Sequence, residues 1–228
     1  MPHVEIEFPL VEQRIWLQKA ARYPVRLAVE NWPLGKDGAA VQLSLDVHPP
    51  RLITSLQKLP KLGELVPEDS VVEVGPHHLF AVAVRGNGET VKPVGPNSRA
   101  PYAMVRFHVG KRGRPERESP RVVYSLPRGT FNGEKAADSI LVDFYLLNVA
   151  LSEASWGVAL RVDGRVGSWS TRLHEWQPLW VRGLPSGDYD ISLALVSPSG
   201  AVANRPGTRA QQTITVNRDA PLPETGGS

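Results

Sequence analysis

The chain has 228 residues, enough for one large or two ordinary domains, and its 41% apolar residues can supply a core in each. Cysteine is absent, which excludes disulfide scaffolds and thiolate metal sites and leaves packing to hold the fold. The net charge is only +3, no apolar run approaches the ~18 residues of a membrane span, and 21 prolines with 20 glycines point to strands and turns.

Met1–Glu5 has no basic region followed by an apolar run, so no secretory leader is legible and a cytoplasmic location is expected. Val25–Glu30 and Val41–Val47 alternate strictly and are predicted as half-buried strands, joined by the turn-rich Asn31–Gly38. Residues 49–70 read as an irregular segment with one helical turn near Leu52–Leu59. Leu79–Arg85 is the next strand, and Asn87-Gly88 after it predicts a type I′ hairpin. Tyr102–Val109 closes this half, with Val105, Phe107 and Val109 on one face.

Lys111, Arg112, Arg114, Arg117 and Arg121 then crowd together, opposed by Glu116 and Glu118; the local excess equals the net charge of the whole protein. No aromatic residue interleaves them before Tyr124, so the strip reads as a solvated linker and no nucleic-acid partner is expected.

The second half opens with the strand Arg121–Leu126. Ile140–Asn148 is apolar on both faces, the mark of a central strand covered on both sides, as where two halves meet. Val158–Val162 leads into Asp163-Gly164, predicted as a hairpin turn. Glu175–Arg182, Tyr189–Val196 and Thr213–Val216 complete the predicted strands. Leu222–Ser228 resembles the sortase recognition motif and reads as an appended tag outside the fold.

The two halves share one pattern. Val41–Asp46 matches Val158–Asp163 at an offset of 117, as Asn31 matches Asn148. Phe80–Val84 matches Ile191–Leu195 at 111, and Phe107–Val109 matches Ile214–Val216 at 107. The glycine pairs Gly75/Gly187 and Gly88/Gly200 fit 112 instead. A one-residue slip exchanges inside and outside; the apolar register is taken as the guide. The expected fold is therefore all-β: two tandem immunoglobulin-like β-sandwich units related by internal duplication. Their expected bounds are 1–110 and 121–218, with a basic linker at 111–120 and a tail at 219–228.

Reactive constellations are sparse. His77 and His78 are neighbours on a strand and point to opposite faces, while His48, His108 and His174 are dispersed. All read as surface or loop residues, and no metal or cofactor is expected. There is no Gly-x-Ser-x-Gly elbow and no phosphate-cradling loop, so no catalytic residue is assigned. Asp46 and Asp163 hold equivalent strand ends and read as turn or capping residues. Asp188, Asp190 and Ser192 share a face, read as the solvent face.

Trp176, Pro178 and Trp180 alternate with Leu179 and Val181, which would place the two indoles on one strand face ~13 Å apart. Proline confines that strand to a sheet edge or a bulge, and an edge can accept an extended peptide. The expected peptide-binding residues are Trp176, Pro178, Trp180 and Arg182, with Tyr102, Arg106 and His108 from the last strand of the first unit. Arg106 and Arg182 would meet acidic side chains.

Tyr124–Gly133, Val142–Asn148, Glu175–Pro178 and Gly183–Gly187 resemble stretches of a group of myxobacterial-type bacterial proteins with duplicated β-sandwiches. The two-unit build also resembles the non-catalytic peptide-binding proteins of crocagin-type ribosomal peptide pathways. That resemblance implies binding of a precursor peptide and its presentation to modifying enzymes. No catalytic motif comes with it.

The expectation is a non-enzymatic module for an extended peptide or protein, with no membrane partner and with a homodimer among its compatible assemblies. The rival readings are a carbohydrate-binding module stacking sugars on Trp169, Trp176 and Trp180, an enzyme built in a cleft between the halves, and a structural subunit.

Overall fold

The computed structural model describes residues 1–93, 100–111 and 119–220. Most of the basic linker and all of Leu222–Ser228 lie outside the described residues. The chain folds as two units, Met1–Arg117 and Glu118–Ser228.

The first unit holds β1 (His3–Phe8), β2 (Arg14–Ile15), α1 (Leu17–Ala20), β3 (Arg26–Glu30), β4 (Ala40–Leu45), β5 (Arg51–Ile53), β6 (Gly75–Val84) and β7 (Tyr102–Val109). Strands β1 and β3 form one sheet, and β2-β7-β6-β4-β5 form the other. Their facing sides close on a core that includes Val4, Leu27, Val41, Leu43, Leu79, Phe107 and Val109.

The second unit holds β8 (Arg121–Leu126), β9 (Gly129–Asn132), α2 (Glu134–Ala137), β10 (Ser139–Leu147), β11 (Gly157–Gly164), β12 (Gly167–Leu173), β13 (Leu179–Arg182), β14 (Gly187–Val196) and β15 (Arg209–Asn217). Here the sheets are β13-β10-β8 and β12-β11-β14-β15-β9. Val122, Phe144, Val158, Leu160, Ile191, Leu193 and Ile214 lie in the core between them. The double apolar pattern of 140–148 has its reason: β10 is the middle strand of three, and Ile140 to Leu147 are all buried.

The duplication extends to the register of pairing. Val41 faces Ala83 across β4–β6, and Val158 faces Leu195 across β11–β14. His77 faces Phe107 across β6–β7, and Tyr189 faces Ile214 across β14–β15. A short strand runs parallel to the last strand in both units: β2 on β7 and β9 on β15. Asn31 and Asn148 follow equivalent strands and both take left-handed φ, 56° and 55°.

These pairings reproduce the offsets of 117 and 107 but place β6 on β14 at 112, the glycine register. The 111 match is therefore wrong. Leu79, Ala81 and Ala83 face the core of the first unit, while Phe80, Val82 and Val84 are buried on the opposite face. Both faces of β6 exclude water, so the bulkier set looked like the inner one.

Three local expectations also shift. The turn after β6 spans Arg85–Gly88, with Gly88 alone at φ 84° among its residues, and Ser197–Gly200 repeats it after β14. The β11–β12 turn is Arg165-Val166; Gly164 stays in β11 because the Tyr189 ring lies on it. The helical turn expected near Leu52–Leu59 is replaced by β5 and a 3₁₀ turn at Leu62–Leu65.

Candidate functional site

Of the residues expected to bind peptide in the second unit, only two lie in a strand. Pro178 ends pairing on the approach, and β13 begins at Leu179, so Trp176, Pro178 and Trp180 do not share one strand face. β13 is an edge strand, with Pro178 just before it, and pairs with β10 over four residues. The Trp176 indole donates to the Phe144 carbonyl at 3.1 Å and meets the Tyr145 ring edge-on at 4.7 Å, so it packs rather than presents a surface. Trp180 is 53% exposed opposite Leu141, and Arg182 is exposed opposite Ser139.

The first-unit residues form an internal clasp. β7 is flanked by β6 on one side, and on the other β2 and the preceding turn cover its second half. The Glu12 amide donates to the Arg106 carbonyl at 2.6 Å, and the His108 amide to the Gln13 carbonyl at 2.8 Å. Arg106 Nη1 donates to Glu12 Oε1 at 2.9 Å, and His108 Nε2 to Glu12 Oε2 at 2.8 Å. The His108 bond, helped by Arg106 and opposed by burial, holds the Glu12 carboxyl below its ordinary range. Tyr102 packs at a tilt on Phe80, ring centroids 6.2 Å apart.

Two histidines expected at the surface are instead buried: His108 completely, and His77 to 7% exposure. Each is tolerated inside because a carboxylate meets its ring, Glu12 for His108 and Asp46 for His77.

The longest edge among the described residues is β12, a strand that sequence reasoning missed. Its seven residues are Gly-Ser-Trp-Ser-Thr-Arg-Leu. It pairs with β11 from Gly164↔Gly167 to Val158↔Leu173. Closing Gly164 on Gly167 across two turn residues makes that pair a hydrogen-bonded one, and such pairs alternate along an antiparallel ladder. Gly167, Trp169, Thr171 and Leu173 therefore bond to β11. The N–H and C=O groups of Ser168, Ser170 and Arg172 point away from the sheet. Among the described residues no backbone bond reaches β12 from outside β11.

Side chains frame this edge differently on its two faces. Trp169 shares the inward-facing parity of Val162, yet is 40% exposed. On the outer face Arg161 Nε donates to Asp163 Oδ2 at 2.6 Å, and that bond, joined by one from Ser168, lowers the Asp163 pKa. The Arg172 side chain crosses Gly157 and donates to the Ser197 carbonyl at 2.8 Å. Asp188 and Asp190, on the solvent face as expected, accept bonds from Thr215 at 2.7 Å and Thr213 at 2.6 Å. With Asp163 they line a shallow hollow of about 310 Å³. Among the described residues no three His, Cys, Asp or Glu side chains converge to hold a metal ion.

No family model matches the chain, and no curated protein matches it. Solved structures with some similarity include fibronectin(III)-like modules of Clostridium thermocellum CbhA, at 15% identity over 94% of both chains with a TM-score of 0.31. Latent PorU from Porphyromonas gingivalis is 10% identical over 96% of this chain and 20% of its own, with a TM-score of 0.28. The glucan-utilisation protein SGBP-B of Bacteroides ovatus is 9% identical over 94% of this chain and 70% of its own, with a TM-score of 0.22. Such distant likenesses carry no argument about function.

The three-indole sugar platform is not assembled: Trp176 is engaged by Tyr145, while Trp169 and Trp180 belong to different sheets. No helix among the described residues is long and apolar enough to cross a membrane.

Proposed function

We propose that this protein is a non-enzymatic binding module that takes up an extended peptide segment as an added strand on β12. The observation that carries this reading is the seven-residue edge whose outward backbone groups have no partner among the described residues. The first unit has the same edge position but cuts it to three residues, Arg51–Ile53.

Magnitudes say what a guest must bring. Each backbone bond gives ~0.5–1.5 kcal/mol net, while ordering a guest residue costs ~1–2 kcal/mol, so main-chain pairing alone does not hold a peptide. Trp169 supplies the difference. Covering ~100 Å² of its exposed indole is worth ~2.5 kcal/mol at ~25 cal/mol per Å². The fitting guest is an unstructured segment with an apolar residue over Trp169 and small or polar residues over Ser168 and Ser170. A ribosomally made precursor peptide is the guest to try first, because the family resemblance implies one.

The test is selection of binders from a random displayed peptide library, followed by calorimetric titration of the best binder against the parent protein and Trp169→Ala. Strand addition requires that the variant lose at least ~10-fold in affinity and that N-methylating alternate guest amides abolish binding. Binders indifferent to both changes would refute it.

A further inference from the structure

The duplicated units fasten the start of an equivalent strand with different chemistry. In the second unit Tyr189, third residue of β14, donates its hydroxyl to the Pro185 carbonyl, four residues upstream, at 3.0 Å. This is the tyrosine corner of immunoglobulin-like sandwiches. The strand register makes His77 its counterpart, because His77 faces Phe107 as Tyr189 faces Ile214. His77 Nε2 donates to the Glu73 carbonyl, again four residues upstream, at 2.8 Å. An imidazole has taken over the bond of the phenol.

The imidazole adds a second tie. His77 Nδ1 donates to Asp46 Oδ2 at 2.7 Å, while Asp46 Oδ1 accepts the His78 amide at 2.7 Å. Asp46 stands just past β4 at φ 51°, where the chain turns. The ring lies flat against Phe107, centroids 5.4 Å apart. A carbonyl and a carboxylate are both acceptors, so satisfying both requires both ring protons, and hence the imidazolium. His77 thus joins three things: β6, the turn after β4, and the irregular approach 66–74.

We propose that His77 is a proton-operated fastening that holds this approach when charged and releases it when neutral. A neutral ring keeps one N–H. The charge-assisted bond to Asp46 is the stronger, so the Glu73 carbonyl is the acceptor given up. Asp46 from the end of β4 and Glu73 from the approach are the charged groups that face the ring. Arg106, His108 and His78 alternate onto the opposite face of the sheet. Burial is the largest single influence and disfavours the charge, yet the Asp46 and Glu73 bonds outweigh it and raise the His77 pKa. The stabilisation is therefore complete below the unfolded value of ~6.5 and is lost as pH rises through the folded value. Tyr189, whose pKa is raised above the ordinary phenol value by burial, leaves the second unit without such a switch near neutrality.

The test is histidine NMR titration of the full chain, with amide exchange of 66–74 corrected for its intrinsic pH dependence. The expected result is a His77 pKa above ~6.5 and corrected exchange that rises ~10-fold across that titration, while Leu184–Gly187 is unchanged. Asp46→Asn should move both transitions to lower pH together, and His77→Tyr should remove them. A His77 pKa at or below the ordinary value overturns the proposal. So does exchange in 66–74 that does not follow the His77 titration in the parent protein and in Asp46→Asn.

Discussion

Proline substitution along β12 separates the open edge from the closed one by a single residue. The Ser170 amide points away from β11, because the hydrogen-bonded pairs are Val162↔Trp169 and Leu160↔Thr171. Ser170→Pro therefore removes no ladder bond, and the residue before it is already extended, as proline demands. Its cost to stability should stay below ~1 kcal/mol. Thr171→Pro deletes the donor to the Leu160 carbonyl, on a residue that is fully buried. An orphaned acceptor plus the lost bond amounts to about 2–4 kcal/mol. For a unit of this size that lowers the Tm by roughly 10–30 °C, at ~4–8 °C per kcal/mol. Binding should show the reverse ranking. Ser170→Pro removes a donor that the guest needs and puts a ring in its path, so calorimetry should show at least a ~10-fold loss in a protein that melts normally. Equal destabilisation by both prolines would refute the parity of the strand. Unchanged affinity in Ser170→Pro would refute use of the edge.

Glu12→Gln removes the carboxylate that ties the β1–β2 connection to β7, and should destabilise the first unit by about 1–3 kcal/mol in urea unfolding. The Glu12 pKa is lowered in the folded state, so this contribution is complete above ~4.3 and is lost as pH falls through the folded value; the parent-minus-variant difference should shrink below pH ~4. Gly164→Ala drives a methyl to 2.4 Å from the Tyr189 ring and should cost the second unit about 1–3 kcal/mol by thermal melting. Asn31→Ala and Asn148→Ala each place alanine at a left-handed φ and should each cost ~1 kcal/mol, while the glycine variants should not. A cost in only one unit would show that the two turns are not equivalent.

The sequence carried the architecture because strands half-buried in a sandwich advertise themselves by alternation. Val41–Leu45 and Val158–Val162 are legible for that reason, and the equivalence of Asn31 and Asn148 survives because both turns need a left-handed residue. The alternation signal fails where both faces have the same environment. β6 is buried on both, so bulky Phe80, Val82 and Val84 drew the register one residue away from the small inward Ala81 and Ala83. β12 runs exposed from Gly167 to Thr171 and is nowhere deeply buried, so Gly167–Leu173 had no apolar period to show. The aromatic cluster was visible, but Pro178 delays β13 and detaches Trp176 from its strand. His77 was misplaced because its partners are remote in sequence: Asp46 is 31 residues away, and the corner bond is seen only by comparing units in space.

Residue-resolved amide exchange along β12 tests the central claim most directly. In the guest-free protein Ser168, Ser170 and Arg172 should exchange at nearly unprotected rates, while Trp169, Thr171 and Leu173 are protected, and a bound peptide should slow the first set. Protection of Ser168, Ser170 and Arg172 before any guest is added would mean that this rim is already occupied, and strand addition there would be ruled out.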